Sequence, residues 1–131
     1  MQRVAIAHCL SQQADLFLLD EPSAYLDVEQ RLLVSKIIRD LMEVKGKSAL
    51  IVDHDILFLD YISNRLMVFK GESAIHGEAT GPYEMETGMS MFLKELNITC
   101  RRDKDTLRPR INKLGSVKDR EQKSGGKFYY N

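Results

Sequence analysis

The stretch LFLLDEPSAYLD, residues 16–27, joins an apolar run to a pair of adjacent carboxylates. Four large apolar residues lead directly into Asp20 and Glu21, and a Pro-Ser turn follows. Continuous apolar residues predict a strand buried on both faces, as in a parallel sheet. Neighbouring carboxylates repel each other and resist desolvation, so a divalent cation is the usual reason for such a pair. The stretch therefore predicts the end of a parallel strand that carries a metal-binding carboxylate.

The surrounding sequence alternates helical and strand patterns. Apolar residues spaced three to four apart predict an amphipathic helix that ends near Gly46, and short apolar runs such as SALIV predict buried strands. Strand, helix, strand order predicts right-handed crossovers and a parallel sheet, so the predicted fold class is α/β. The predicted elements are helices over 2–12, 26–43, 55–64 and 85–96, strands over 15–20, 48–52 and 66–69, and a short hairpin arm over 73–77.

Composition places the chain among globular proteins of one domain. It has 131 residues, of which 44% are hydrophobic and 29% are charged. The apolar runs are shorter than the roughly 20 residues of a membrane helix, and the N-terminus is a poor signal peptide. The two cysteines, Cys9 and Cys100, lack metal-site spacing and are typical of reduced intracellular thiols. We therefore expect a cytoplasmic protein without a membrane partner.

The charge of the chain is divided between an acidic body and a basic end. Residues 101–131 hold ten Lys or Arg and four Asp or Glu, a net charge of +6, so the preceding residues carry −6. We expect residues 99–131 to form an extended, partly ordered appendage with one short helix over 117–123. From charge alone it is either a binding surface or a solvated, charge-rich terminus.

Titratable side chains follow two successive predicted strands. Asp20 and Glu21 end the first, and Asp53-His54-Asp55 ends the second. Because ligands of open α/β sheets bind at the carboxyl ends of the strands, these groups predict one site. A metal-holding carboxylate, a carboxylate that activates water and a donor to a terminal phosphate are suited to hydrolysing a phosphoanhydride. The alternative is ordinary turn chemistry beside a surface histidine.

Three motifs in this order resemble an ABC-type ATPase. LFLLDEPSAYLD resembles the Walker B strand and D-loop, VDHD (52–55) resembles the switch-histidine motif, and QRVAIAHCL (2–10) resembles the helix after the LSGG signature loop. The D-loop spelling, the EQR that follows it and RRDKDTLRPRINKLGSVKDREQKSGG (101–126) are similar to the second nucleotide-binding domain of the RNase L inhibitor family. These are the soluble, twin-cassette ribosome-recycling ATPases of ABC subfamily E.

The resemblance implies a role for each site residue. Asp20 would support Mg²⁺, Glu21 would polarise the attacking water, and His54 would contact the γ-phosphate. Ser23 and Asp27 would lie in the D-loop, which crosses the interface with the other nucleotide-binding domain, so the cofactor-binding set is Asp20, Ser23, Asp27 and His54. Residues 1–98 would be the C-terminal portion of a RecA-like P-loop domain, and residues 99–131 a basic hinge that in this family faces ribosomal RNA.

Parts of an ATPase are absent from the sequence. No G-x-x-x-x-G-K-[ST] loop, no LSGG and no cysteine cluster for an iron–sulfur domain occurs. We therefore expect a fragment of an ATPase that does not hydrolyse ATP alone. ATP and Mg²⁺ would bind the complete domain, and iron–sulfur clusters would belong to another part of the parent protein. Uncovered apolar surfaces predict self-association.

Other readings stay open beside the ATPase fragment. The chain could be a non-catalytic module that binds RNA or protein through its basic tail. A DNA-repair or chromosome-structure ATPase shares the Walker B and D-loop motifs, but the D-loop spelling and the tail argue against it. A transporter cassette is a further alternative, against which the tail decides. The residues that would carry RNA binding are Arg101, Arg102, Arg108, Arg110 and Lys113.

Overall fold

The computed structural model of the chain describes residues 1–72, 74–106 and 108–129, which fall into two compact units. The first unit is Met1–Ser63 and the second is Asn64–Asn131. The predicted boundary between residues 98 and 99 falls inside the second unit, and as a functional division it stays a prediction. None of the helices in the described ranges is long and apolar enough to cross a membrane.

The first unit alternates helices and strands in the predicted order. Its strands β1 and β2 pair in parallel, from Leu16 opposite Ser48 to Asp20 opposite Val52. A parallel pair needs a crossover connection, and helix α2 supplies it. The elements are α1 (Gln2–Ser11), β1 (Leu16–Asp20), α2 (Val28–Lys45), β2 (Ser48–Val52) and α3 (Ile56–Ile62).

Aspartates cap the starts of α2 and α3, and a glycine ends α2. The Asp27 carboxylate accepts a hydrogen bond from the backbone N–H of Gln30 at 2.8 Å and so caps the start of α2. Gly46 ends α2 in the left-handed region, with φ of 60°, as predicted. The Asp55 carboxylate caps α3 in the same way, through the N–H of Phe58. These caps fix the loops that carry the candidate site.

One face of the β1–β2 pair forms the core of the first unit, and the other face is bare. Phe17 and Leu19 are buried with residues of all three helices, whereas Leu16 and Leu18 are 52% and 66% exposed. The prediction that this strand is buried on both faces is therefore wrong for the first unit. A continuous apolar run has two apolar faces, but the helices of this unit cover only one.

The bare apolar face predicts self-association of the isolated chain. Leu16, Leu18, Leu50 and Val52 are all at least 47% exposed on these two strands. We expect sedimentation velocity at about 50 µM to show dimers or larger species, because such faces bury themselves against one another. Leu18→Glu should restore the monomer, and Val44→Glu, at an exposed apolar position on α2, should not. A monodisperse wild-type monomer would contradict the prediction.

The second unit is built on an antiparallel hairpin rather than a third parallel strand. Strands β3 and β4 pair antiparallel from Arg65 opposite Glu84 to Glu72 opposite His76. The third predicted parallel strand was therefore assigned the wrong partner, because a short connection favours local hairpin pairing. A hairpin arm was predicted over 73–77, and Ser73 lies outside the described residues. The elements are β3 (Arg65–Glu72), β4 (His76–Glu84), α4 (Met85–Glu95), β5 (Cys100–Arg102), β6 (Pro109–Ile111) and α5 (Val117–Ser124).

Helix α4 packs closely against the hairpin. Met89 and Leu93 are buried, with 1% and 0% of their surface exposed. A Cβ atom added at Gly88 would lie 2.7 Å from Cβ of Leu66, so this position requires glycine for the approach of helix and strand. Gly88 therefore has a packing reason that outweighs its poor helix propensity.

The basic tail is more ordered than predicted. Strands β5 and β6 pair antiparallel, and α5 matches the predicted helix within one residue. A buried polar cluster joins these elements, and each of its side chains is at most 6% exposed. The expectation of an extended, partly ordered appendage is corrected, because hydrogen bonds among buried polar groups, together with buried Cys100 and Tyr129, order this segment. The polar cluster consists of Thr99, Asn112, Asp119 and Gln122.

Candidate functional site

The two titratable strand ends lie at the same edge of the parallel pair. Asp20 is opposite Val52, and the backbone N–H of Glu21 donates to the Val52 carbonyl at 2.7 Å. The pairing thus continues one residue beyond β1 and holds Glu21 against the segment that leads into His54. The geometry that the sequence predicted for these strand ends is present.

Glu21 and His54 face each other at this edge. His54 Nδ1 lies 3.5 Å from Glu21 Oε1, and the two side chains are 78% and 57% exposed. Glu21 has a φ of 45°, in the left-handed region that a glutamate rarely adopts. Its carbonyl accepts hydrogen bonds from the backbone N–H of Ala24 at 3.0 Å and from Gln2 Nε2 at 3.2 Å, which stabilise this turn. The pair is accessible to water and to a ligand.

Asp20 is placed to contribute one oxygen ligand, not a complete metal site. Its side chain is exposed, and within the described part of the chain no group donates a hydrogen bond to its carboxylate. No cluster of three His, Cys, Asp or Glu suited to holding a metal occurs among residues 1–72, 74–106 and 108–129. Mg²⁺ commonly binds one or two carboxylates together with substrate phosphates. The donors present fit that arrangement.

Ser23 and Asp27 are engaged within the fold. Ser23 is 1% exposed, and its hydroxyl donates to Asp53 Oδ1 at 2.8 Å while its backbone N–H donates to Oδ2 at 3.1 Å. Asp27 caps α2. Between them, Tyr25 is 98% exposed with a φ of 60°, so the loop presents an aromatic side chain to solvent. The nucleotide and interface roles of Ser23 and Asp27 remain predictions.

Sequence reasoning missed Arg31 and the role of Asp53. Arg31 Nε donates to the Leu26 carbonyl at 2.9 Å, and its NH1 forms an ion pair with Asp55 Oδ2. Asp53 links the β2–α3 loop to the β1–α2 loop through its hydrogen bonds to Ser23. The carboxylates beside His54 were a visible signal, but their partners are 24 and 30 residues away, and no spacing rule connects them.

Part of the proposed RNA-binding set holds the tail together. Arg101 NH1 donates to Asn112 Oδ1 at 2.7 Å, and Arg102 NH2 donates to the Tyr129 hydroxyl at 3.3 Å. Arg110 is exposed and pairs with Asp103 at 3.2 Å. Arg108 and Lys113 are exposed. Three of the five suggested RNA ligands, Arg101, Arg102 and Arg110, thus have partners within the tail, which weakens the interpretation of the chain as a separate RNA-binding module.

Curated relatives match nearly the whole chain. The chain is 56% identical over 130 residues to a Methanocaldococcus jannaschii protein described as an uncharacterised ABC transporter ATP-binding protein, a match that covers 99% of this chain and 22% of that protein. It is 47% identical to a translation initiation factor of Saccharomyces cerevisiae, covering 99% of this chain and 21% of that protein. The chain spans about a fifth of the length of these relatives. No protein-family model matches it.

Solved structures agree with these relatives. An archaeal ribosome recycling factor, solved in complex with an archaeal ribosomal stalk protein, has a TM-score of 0.93 and 62% identity, covering 99% of this chain and 25% of that chain. An RNase-L inhibitor has a TM-score of 0.92 and 62% identity, covering 98% of this chain and 25% of that chain. By sequence and by structure, the chain belongs to the RNase L inhibitor family of ABC-type ATPases, as the counterpart of about a quarter or less of its full-length members.

Proposed function

We propose that this chain provides the metal-holding and water-positioning part of an ATP-hydrolysis site in a ribosome-recycling ATPase. The observation that carries the proposal is the juxtaposition of Glu21 and His54, 3.5 Å apart and exposed at the carboxyl edge of β1 and β2. Site residues at this edge are typical of nucleotide-binding α/β sheets. We also propose a finer assignment of the chain: part of a RecA-like P-loop domain with Walker B, D-loop and switch-histidine segments, followed by a basic hinge.

Each side chain has a role that its chemistry supports. Glu21 is an exposed carboxylate, so it accepts a hydrogen bond from the attacking water and receives its proton. His54 directs Nδ1 toward Glu21, which leaves Nε2 to donate to a terminal phosphate oxygen. Ser23 and Asp27 position the loop between these groups and the partner domain.

Asp20 is the residue that would hold magnesium. A bound Mg²⁺ would neutralise charge on the phosphate oxygens. Asp20 offers a hard oxygen ligand that no hydrogen bond from the described residues occupies. Its place directly before Glu21 puts metal ligand and water-activating group on adjacent residues of one turn.

The wider role rests on the relatives. One solved relative was captured with a ribosomal stalk protein, and another belongs to a ribosome-bound archaeal assembly that includes Pelota. We extend this association to the protein that contains this chain. Its partners are then the ribosome, its ribosomal RNA and a second nucleotide-binding domain that meets the loop of residues 23–27. Its compartment is the cytoplasm.

The chain alone is expected to bind Mg-ATP no more tightly than about 1 mM, or roughly 4 kcal/mol. Most phosphate contacts of such sites come from the Walker A backbone N–H groups and lysine, and this sequence has no such loop. Isothermal titration of the 131-residue chain, beside Glu21→Gln, measures the affinity. Micromolar binding would mean that another segment supplies the phosphate cradle.

Hydrolysis is tested in a chimera that restores a whole protein. In this chimera the chain replaces the matched segment of the full-length Methanocaldococcus jannaschii relative, and the catalytic carboxylate of its other nucleotide site is replaced by Gln. Hydrolysis then reports on the site that contains this chain. Single-turnover hydrolysis of Mg-ATP should occur at a rate comparable with that of the same relative carrying its own segment. An inactive chimera beside an active relative would reject the proposal.

A further inference from the structure

The contacts of Asp53 point beyond the groups that would touch nucleotide. Its Oδ1 accepts from the Ser23 hydroxyl at 2.8 Å and from the backbone N–H of Asp55 at 2.9 Å, and its Oδ2 accepts from the Ser23 N–H at 3.1 Å. Three donors therefore converge on one carboxylate. Two of them come from a loop 30 residues away in the sequence.

These bonds join the two loops that carry the proposed catalytic pair. Ser23 lies two residues after Glu21, and Asp53 lies directly before His54. Ser23 is buried, so water competes poorly for its hydrogen bonds to Asp53. The bond to the Asp55 N–H orders the loop around His54, but the paired bonds to Ser23 are not needed for that local turn. Their effect is to fix one loop against the other.

We propose that Asp53 is a positioning residue that sets the separation of Glu21 and His54 by clamping the Ser23 turn to the β2–α3 loop. The proposal rests on the proposed function and adds a residue that touches neither water nor phosphate. Glu21 and His54 are largely exposed, so packing alone does not hold their side chains. Their relative position depends on the backbone segments that carry them. Asp53 joins these segments next to both groups, in addition to the backbone bond from Glu21 to Val52 and the contacts of Arg31 with Leu26 and Asp55.

Carboxylate chemistry explains why aspartate suits this position. Both oxygens of Asp53 act as acceptors, and each faces Ser23. Asparagine has the same shape but replaces one acceptor with an N–H₂ donor, which would face either the Ser23 N–H or the Ser23 hydroxyl and Asp55 N–H. Asp53→Asn therefore leaves the N–H of either Ser23 or Asp55 without its acceptor, with almost no change in volume.

The test is Asp53→Asn in the chimera defined above. We expect the maximal single-turnover rate to fall about 10- to 100-fold, as for a misplacement near 1 Å. The ATP concentration that gives half the maximal rate should change less than about twofold, because Asp53 does not contact nucleotide. Asp40→Asn, the same chemical change at an exposed position of α2, is the matched control and should leave the rate unchanged.

A double-mutant cycle separates positioning from a merely structural role. In a His54→Ala background, Asp53→Asn should lower the rate less than about twofold, since there is no imidazole left to position. Ser23→Ala should give a smaller loss than Asp53→Asn, because it removes one of the two loop-to-loop bonds. An unchanged rate in Asp53→Asn, or an equal loss with and without His54, would overturn the proposal.

If the proposed function is wrong, the variants will show a different pattern of hydrolysis rates. If Glu21→Gln and His54→Ala both leave the single-turnover rate unchanged, the site assignment itself is wrong. If both lower the rate while Asp53→Asn does not, only the clamp is wrong. Melting temperatures of all variants show whether a lost rate reflects unfolding, and a normal melting temperature with a low maximal rate supports positioning.

Discussion

Replacing Glu21 by Gln in the chimera is expected to lower the single-turnover rate of ATP hydrolysis about 100- to 10,000-fold, the range that a positioned general base contributes. Glutamine keeps the size of the side chain and its carbonyl oxygen, but it cannot take a proton from water. The side chain is exposed, so the substitution should leave the fold intact. The loss should appear in the chemical step, with Mg-ATP still bound.

Two readouts make this expectation specific. The ratio of ATP to ADP retained by the chimera after a fixed time should shift toward ATP in Glu21→Gln, because binding persists while hydrolysis stops. Glu29→Gln, at an exposed position in the first turn of α2, is the matched control and should hydrolyse at the wild-type rate. A Glu21→Gln rate within about threefold of wild type would assign the water-activating role to another group.

The parts of the site that could be predicted from the sequence are those formed by residues adjacent in the chain. Asp20 and Glu21 follow an apolar run, and His54 follows the next strand, so the strand-end rule was enough to place them at one edge. The boundaries of α2 were also predictable. Gly46 supplies the left-handed residue that ends it, and the apolar spacing before it belongs to a helix.

Features that depend on distant partners could not be predicted. An apolar run such as Leu16 to Leu19 has the same pattern whether one face or both are covered. Likewise, LMVF fits a parallel strand or a hairpin strand, and the partner β4 decided it. Asp53 was visible at a strand end, but its bond to Ser23 spans 30 residues. No local pattern in the sequence specifies such a contact.

The tail was the hardest part to predict from the sequence, because most of its buried side chains are polar. Thr99, Asn112, Asp119 and Gln122 are residue types usually found at the surface, and only Asp119 and Gln122, three residues apart on α5, share a helical spacing. The lack of apolar periodicity therefore predicts an extended, partly ordered tail where the structure has a buried cluster. What organises it is a set of matched donors and acceptors, which become visible only once β5, β6 and α5 are assembled.

Asn112 is the centre of this polar cluster, and Asn112→Leu is expected to lower the free energy of opening the tail by about 3 kcal/mol. The Asn112 amide donates to Thr99 Oγ1 at 2.9 Å and to Gln122 Oε1, and its Oδ1 accepts from Arg101. Leucine has a similar volume but leaves the buried Gln122 oxygen and the Arg101 guanidinium without this partner. Unpaired buried groups cost more than the lost bonds alone.

Amide hydrogen exchange measures this loss locally. Protection of the backbone N–H groups of Cys100 and Asn112, which are hydrogen bonded within the tail, should fall roughly 100-fold in Asn112→Leu. Amides of β1 in the first unit serve as the internal reference. Lys113→Leu, an exposed position next in sequence, is the matched control and should leave protection unchanged. Equal protection in both variants would show that the polar cluster does not stabilise the tail.

Lowering the pH is a second test of the polar cluster, because it protonates the Asp119 carboxylate. Hydrogen bonds from the Thr99 hydroxyl and the Gly115 N–H, with Lys123 nearby, hold the pKa of the Asp119 carboxyl below its usual range, against an opposing effect of burial. The ionised form is therefore favoured more in the folded than in the unfolded chain. The resulting stability is present above the usual aspartate pKa of about 3.9 and is lost as the pH falls through the lower folded value. Asp103 acts with the same sign through the Thr106 and Asp105 N–H groups.

Tail protection should therefore decline in the wild type as the pH falls below the usual aspartate pKa of about 3.9, and the decline should be shallower in Asp119→Asn. Asparagine cannot titrate, so only the contribution of Asp103 and other carboxylates remains in that variant. Asp119→Asn should also be less protected than wild type at pH 7, because its amide either meets the Gly115 N–H with a donor or leaves the Thr99 hydroxyl without this acceptor. An identical acid profile in the two proteins would mean that Asp119 titrates alike in folded and unfolded chains, and the polar cluster would then owe its stability to its neutral hydrogen bonds.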